Sequence, residues 1–283
     1  EDVAQQAAIG LQPDFAVVTG DIAHHGKSAE YSMAQESFFE PLLRHTSLSK
    51  DRLFIVPGNH DVDWDLIDKV MAAGMRELLS DRDTINEFLQ TDRDRRSAFR
   101  KFDAYAHFLN TYFGGALPFN DNQYYYSRVV EVQGRKIGIL GLNSAWMSAC
   151  CRDTHGKAQD QGSLLVGERQ LAEALSGTEG ADLRVALLHH PVNWLHEVDQ
   201  FSIKKQLSTK CDFVLHGHWH HPDVEYTNTL SGQAVYIPAG AVYVERSYPN
   251  GYNIVQLDLQ TGKLKVHLRR YNDERSEWIK DIQ

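Results

Sequence analysis

The chain has 283 residues, of which 42% are hydrophobic, 24% charged and 10% aromatic. That suits one large α/β domain and is too apolar for a disordered chain. A formal net charge of −9 argues against nonspecific binding of duplex DNA, which needs a basic footprint, while leaving room for a local basic groove. No run approaches the ~18 consecutive apolar residues of a membrane helix. The three cysteines, Cys150, Cys151 and Cys211, make a poor disulfide framework, so the chain reads as cytoplasmic and free of the membrane.

In chain order, residues 2–11 read as the end of a helix, stopped near Gly10 and Pro13. Phe15, Ala16, Val17 and Val18 form a short apolar strand ending in Thr-Gly-Asp. Residues 29–44 are amphipathic and helical, and Leu53, Phe54, Ile55 and Val56 are the next strand. Strand, helix, strand in this order predicts a parallel βαβ unit. A long helical stretch follows at 65–113, read as a helical insertion or cap within a single domain. Residues 124–132 and 136–142 are β-rich and joined by a hairpin signal at Gln133, Gly134 and Arg135. Beyond them lie a helix at 167–176, a strand at 183–188, a helix at 199–208 and a strand at 212–215. Strands at 234–237, 252–259 and 263–270 follow, and 272–283 reads as a terminal helix. That segment lacks a stop signal, which leaves room for a further C-terminal domain. The predicted fold class is mixed α/β, two sheets with helices outside.

Histidine is the outlier. Nine of the 14 sit in four short places: His24 and His25; His60; His189 and His190; and His216, His218, His220 and His221. Four apolar strands end in polar motifs, namely Gly20-Asp21, Gly58-Asn59-His60-Asp61, His189-His190-Pro191 and Gly217-His218-Trp219-His220. Ligand sites in parallel α/β sheets gather beyond the carboxyl ends of strands. Asp, Asn and His delivered there together form a mixed nitrogen and oxygen set without cysteine, which suits Mn, Fe or Zn.

The four motifs, in this order along nearly the whole chain, resemble the calcineurin-like metallophosphoesterases. The resemblance implies a β-sandwich of two mixed sheets flanked by helices, and hydrolysis of phosphoesters on two divalent ions, Mn first. Asp21 would bridge the ions, Asn59, His189 and His218 would complete the second site, and His220 would serve the first. His60 would assist the leaving group, and Asp61 would orient His60. Two cations ~3.5–4 Å apart would clamp phosphoryl oxygens and acidify a water between them, and an imidazolium would contribute ~10²–10⁴-fold by protonating the leaving group.

One motif departs from the family pattern. Nothing before Asp21 supplies the Asp-x-His of the first metal site, and Asp153-Thr154-His155 lies in a loop far out of order. The expectation is that the strand carrying it precedes Glu1. As the chain stands, the second site has all its protein ligands and the first only Asp21 and His220.

Other residues carry blander readings beside functional ones. His190 reads as a neighbour of the ligands or a surface residue, and His216 and His221 as structural. His24 and His25 lie at the rim, with His25 a substrate contact. Arg96 lies in a basic helical stretch, 93–101, that is either a solvated face or a phosphate-gripping lid. Trp64 and Trp219 are packing residues or platforms for a nucleobase, and Asn143, Ser144, Tyr243 and Arg246 border the cleft. The substrate is expected to be a phosphodiester, of cyclic nucleotide, nucleotide or single-stranded nucleic acid type. A phosphomonoesterase acting on phosphoproteins and a catalytically silent scaffold are the alternatives. His218-Trp219-His220-His221-Pro222-Asp223 places proline where a metallo-β-lactamase needs aspartate, which excludes that chemistry.

Overall fold

The computed structural model describes residues 1–120, 122–149, 159–219, 224–229, 232–242 and 250–281. The chain opens with helix α1 (Asp2–Ala8) and strand β1 (Ala16–Val18). A helical run follows: α2 (Ser28–Ala34), a π-helical turn (Gln35–Phe39) and α3 (Glu40–Thr46). Pro41 cannot donate to the helical ladder, and the widened turn just before it accommodates the loss. β2 (Leu53–Ile55) then pairs in parallel with β1, Val17 opposite Phe54, as the βαβ reading predicts.

The predicted helical stretch at 65–113 is four helices, α4 (Lys69–Leu78), α5 (Arg82–Gln90), α6 (Asp92–Phe99) and α7 (Asp103–Phe113). Asp68 and Asp81 cap α4 and α5 through their side chains. β3 (Tyr126–Val132) and β4 (Arg135–Gly141) form the predicted hairpin about Gln133 and Gly134, both at positive φ. After α8 (Glu168–Ser176) come β5 (Leu183–Leu187), α9 (Glu197–Lys210), β6 (Phe213–His216), β7 (Glu225–Thr229) and β8 (Gly232–Pro238).

A six-stranded mixed sheet runs in the order β3-β4-β5-β6-β8-β7, and β4, β5, β6 and β8 are parallel neighbours. Val214, Leu187, Ala186, Ile139 and Leu140 on its central strands are completely or almost completely buried, as expected of a parallel sheet covered on both faces. One apolar core joins these strands to β1, β2 and α4 to α9. No helix among the described residues is long and apolar enough to cross a membrane.

A three-stranded antiparallel sheet closes the chain: β9 (Gly251–Leu257), β10 (Leu264–Asn272) and β11 (Glu277–Lys280). The helix expected at 272–283 is therefore corrected to a turn and a strand. Asn272 accepts the backbone N–H of Arg275, Ser276 sits at φ 52, and Trp278 packs edge-on against Tyr252 and Tyr271. The aromatic cluster and the β10 ladder decide the matter over weak helical propensity. β7 is a second strand the pattern did not announce.

Candidate metal centre

The predicted metal ligands Asp21, Asn59, His189 and His218 lie in the loops that follow β1, β2, β5 and β6. Backbone hydrogen bonds prolong the ladders past the strand ends, from Val56 to Val18, Leu142 to Leu187, Leu188 to Leu215 and Gly217 to His189. The loops after β1, β2, β5 and β6 are thus drawn to one place, fed by both the parallel pair and the six-stranded sheet.

Two glycines let these loops touch. At Gly20, φ is +97, and an added Cβ would lie 2.5 Å from His189 Nδ1. Gly58 has an ordinary backbone (φ −103, ψ −179), yet a Cβ there would sit 2.1 Å from Asp21 Oδ1. Asp21 (φ 55) and His218 (φ 67) occupy the left-handed region, a costly conformation for non-glycine residues that clusters at functional sites.

His189 Nδ1 lies 2.6 Å from the Thr19 carbonyl. A carbonyl only accepts, so Nδ1 carries the proton and Nε2 of the neutral ring presents a lone pair. That nitrogen is 3.0 Å from Asn59 Oδ1, 3.2 Å from His218 Nδ1 and 3.3 Å from Asp21 Oδ2. His218 Nδ1 is also 3.0 Å from Asn59 Oδ1. Four electron-rich atoms converge with too few hydrogens between them, and a cation satisfies all of them at once. The donor set, two imidazole nitrogens with an amide and a carboxylate oxygen, fits a divalent ion of borderline character. Titration reflects the same crowding. Burial opposes charge on both groups, but mutual attraction outweighs it, holding the Asp21 carboxyl well below the usual range and raising the His189 imidazole.

One ring nitrogen from each of His189, His190 and His218 lies within 4.8 Å of the other two, a grouping that could hold a metal ion. His190 is completely buried, not a surface residue, and burial and its neighbouring imidazoles push its pKa well below normal. His216 is also buried, with Nδ1 at its neighbour's carbonyl, 3.1 Å from Gly217 O.

His60 sits at the edge of the cluster, half-buried. Its backbone N–H donates to Asp21 Oδ1 at 3.0 Å. Its Nδ1 is 2.9 Å from the His24 carbonyl, and the His24 ring stacks on it at 5.1 Å. The resemblance implies that Asp61 orients His60, but the hydrogen bonds run differently. Asp61 Oδ1 accepts from Ala23 N at 2.9 Å, Ile22 N at 3.1 Å and Tyr31 Oη at 3.1 Å, and Oδ2 accepts from Gly58 N at 2.8 Å. Asp61 therefore staples the two ligand loops together. Burial first, then the Asp21 charge, push its carboxyl up to about 6 against those donors.

His25 is exposed beside His24, the two rings 4.3 Å apart, and its backbone N–H bonds Glu30. Asn143 is completely buried; its backbone N–H donates to Gln170 Oε1 and its carbonyl accepts from Gln170 Nε2, while its Oδ1 accepts from Ala145 N. Trp219 is partly exposed and edge-on to Trp194 at 6.1 Å. Arg96 lines a groove with Phe99, Arg100, Asp103 and Asn120, apart from the histidine cluster. His220, His221, Tyr243, Arg246 and the Asp153-Thr154-His155 stretch lie outside the described residues. Ser144, read with Asn143 as a border of the cleft from its place after β4, accepts the backbone N–H of both His189 and His190, a role that its position alone does not reveal.

The calcineurin-like phosphoesterase family model matches residues 1–222. The chain is 26% identical over 283 residues to the uncharacterized metallophosphoesterase-like protein YydB of Bacillus subtilis (strain 168), covering 95% of this chain and 54% of that protein. It thus spans about half the length of the curated relative it matches. Among solved structures, it is similar to the sulfate thiohydrolase SoxB of Thermus thermophilus (TM-score 0.48, 14% identity, 98% of this chain and 43% of that one). A hypothetical protein, also from Thermus thermophilus, aligns at TM-score 0.43 and 15% identity over 94% of both chains. The match of the family model over most of the chain, together with strand-end motifs that meet in space, shows that the chain belongs to the calcineurin-like phosphoesterases.

Proposed function

We propose that this chain hydrolyses phosphodiesters, of nucleotide or single-stranded nucleic acid type, with two divalent ions, manganese first. Family membership implies metal-dependent phosphoester hydrolysis; the diester preference, the two-ion count and the residue roles are our reading. The observation that carries it is the convergence of Asp21, Asn59, His189 and His218 on one point with too few protons to satisfy them. In this reading these residues and His220 hold the ions, which supply Lewis acidity and a more acidic water when bound.

The chain's own residues do the rest. Thr19 holds His189 with its Nε2 lone pair inward. Asp61 and Tyr31 hold the loops of Asp21 and Asn59 in register. The His24 carbonyl accepts a hydrogen bond from His60 Nδ1, so in the imidazolium form of the ring the second proton sits on Nε2 and passes from there to the departing oxygen, leaving the neutral ring with Nδ1–H.

The test is Mn²⁺-dependent turnover by the full-length protein of an aryl phosphodiester, an alkyl phosphodiester and the aryl monoester, with and without chelator. We expect diester turnover that chelation abolishes. His60→Ala should cost about 10²-fold or more on the alkyl diester and less on the aryl one, whose leaving group needs no proton. Faster monoester turnover would reassign the chain as a phosphatase, and no turnover with metal bound would make it a scaffold.

A further inference from the structure

The proposed metal set uses two of the three clustered imidazoles and leaves His190 without a task. His190 is completely buried. Its Nε2 meets no hydrogen-bond partner among the described residues. Such an atom in a native interior asks for an explanation.

Ser144 determines which ring nitrogen carries the proton. Its Oγ accepts the backbone N–H of His189 at 3.2 Å and of His190 at 3.0 Å. Two donors fill both lone pairs of a hydroxyl, leaving only its own proton to give. The acceptor within reach is His190 Nδ1, at 3.1 Å. Nδ1 therefore offers a lone pair, and the ring proton sits on Nε2. A nitrogen that carries a proton cannot ligate a metal.

We infer that Ser144 locks His190 in the Nε2–H tautomer, making it a buried hydrogen-bond donor beside the ligand cluster instead of a third metal-binding imidazole. Its ring lies 4.7 Å from that of His189 and 4.8 Å from that of His218, so an oxyanion brought to those ligands comes near it. The acceptor is a phosphoryl oxygen. That assignment rests on the phosphoesterase reading; the tautomer rests on hydrogen bonding alone. The lock also accounts for the arrangement at the end of β4, where one hydroxyl organises the backbone of both histidines and the ring of one.

The test starts with the full chain labelled with ¹⁵N-histidine and long-range ¹H–¹⁵N correlation spectra, His190 being assigned through its backbone. The expected pattern is a protonated Nε2 and an unprotonated Nδ1, both kept when Zn²⁺ is added, while His189 and His218 shift on binding. A proton on Nδ1, or a His190 pattern that changes as a ligand's does, overturns the lock. Two variants test the donor. His190→Gln keeps an N–H near that position and should hold Zn²⁺ within about threefold, whereas His189→Gln should lose about tenfold or more. Equal losses overturn the inference and make His190 a ligand. Inorganic phosphate should bind the Zn²⁺-loaded His190→Ala chain about tenfold more weakly than wild type, and His190→Gln should restore most of it. Unchanged phosphate affinity in His190→Ala overturns the donor role even with the tautomer in place and whatever the turnover assays give. The wild-type spectra decide the tautomer if the variants do not fold.

Discussion

Gly58 has a backbone that any residue adopts, so only the space beside Asp21 demands glycine there. Gly58→Ala should therefore fold but displace the Asp21 carboxylate. The expected loss is about 10²-fold in kcat/KM, the usual cost of a misplacement near 1 Å, with divalent metal affinity falling alongside. Wild-type activity in this variant would show that Asp21 tolerates the shift and does not anchor the site. Tyr31→Phe removes one of the groups that hold Asp61 and leaves the three backbone donors in place. Urea unfolding should show a loss of about 1–2 kcal/mol, as for a buried hydrogen bond to a carboxylate. The residues that converge at the candidate site were legible in the sequence because Asn, His and Asp after an apolar run have few cheap explanations. The partners of Asp61 were not, since they are mostly backbone N–H groups, which no side-chain pattern encodes. The bonding of Ser144 was hidden for a related reason: a serine bordering a cleft is ordinary until its neighbours are known.

Among the elements, those marked by an apolar run or a turn signal formed where the pattern placed them, including the βαβ unit, the β3–β4 hairpin and the strands leading to the histidines. The misreading fell at 272–283, where a four-residue strand is too short to display a period and its stability comes from Tyr252 and Tyr271 across the sheet. The same sheet is tied to α1 by a contact between residues far apart in sequence. Asp2 is buried, and its carboxylate takes two bonds from Arg269, at 2.9 and 2.6 Å, and one from Tyr252 at 2.5 Å. Burial works against the charge, but these donors win and lower the Asp2 pKa. A carboxyl lowered in the folded state stabilises above its unfolded value, near 3.9, and that contribution disappears as pH falls through the folded value. Asp2→Asn should then lose about 3 kcal/mol at pH 7, the cost of stranding a buried partner. Below pH 4 the gap to wild type should narrow in urea titrations. A gap independent of pH would mean that Asp2 acts through packing alone.

At the scale of the molecule, the loops of one site come from two different sheets. A divalent ion that binds only the folded arrangement of lone pairs raises stability by about 2.7 kcal/mol at a concentration a hundredfold above its Kd. For a chain of this size that is a rise in Tm of about 4–5 °C, measurable by calorimetry with Mn²⁺ or Zn²⁺ against chelator, and His189→Gln should remove most of it. No shift with saturating metal would count against the site as a metal centre.

Because Asp21 and Asn59 belong to the parallel pair while His189 and His218 belong to the six-stranded sheet, an ion shared among them is a rivet across a seam. The carboxylate staple of Asp61 joins only the loops after β1 and β2, which lie on one side of that seam. Across the seam, the Thr19 carbonyl bond to His189 is a neutral clasp that ties the ligand loops across the sheets without a metal. Loss of the ion would thus be felt first as breathing between two layers, with faster amide exchange at residues 19–24 and 187–190, well before either sheet came apart.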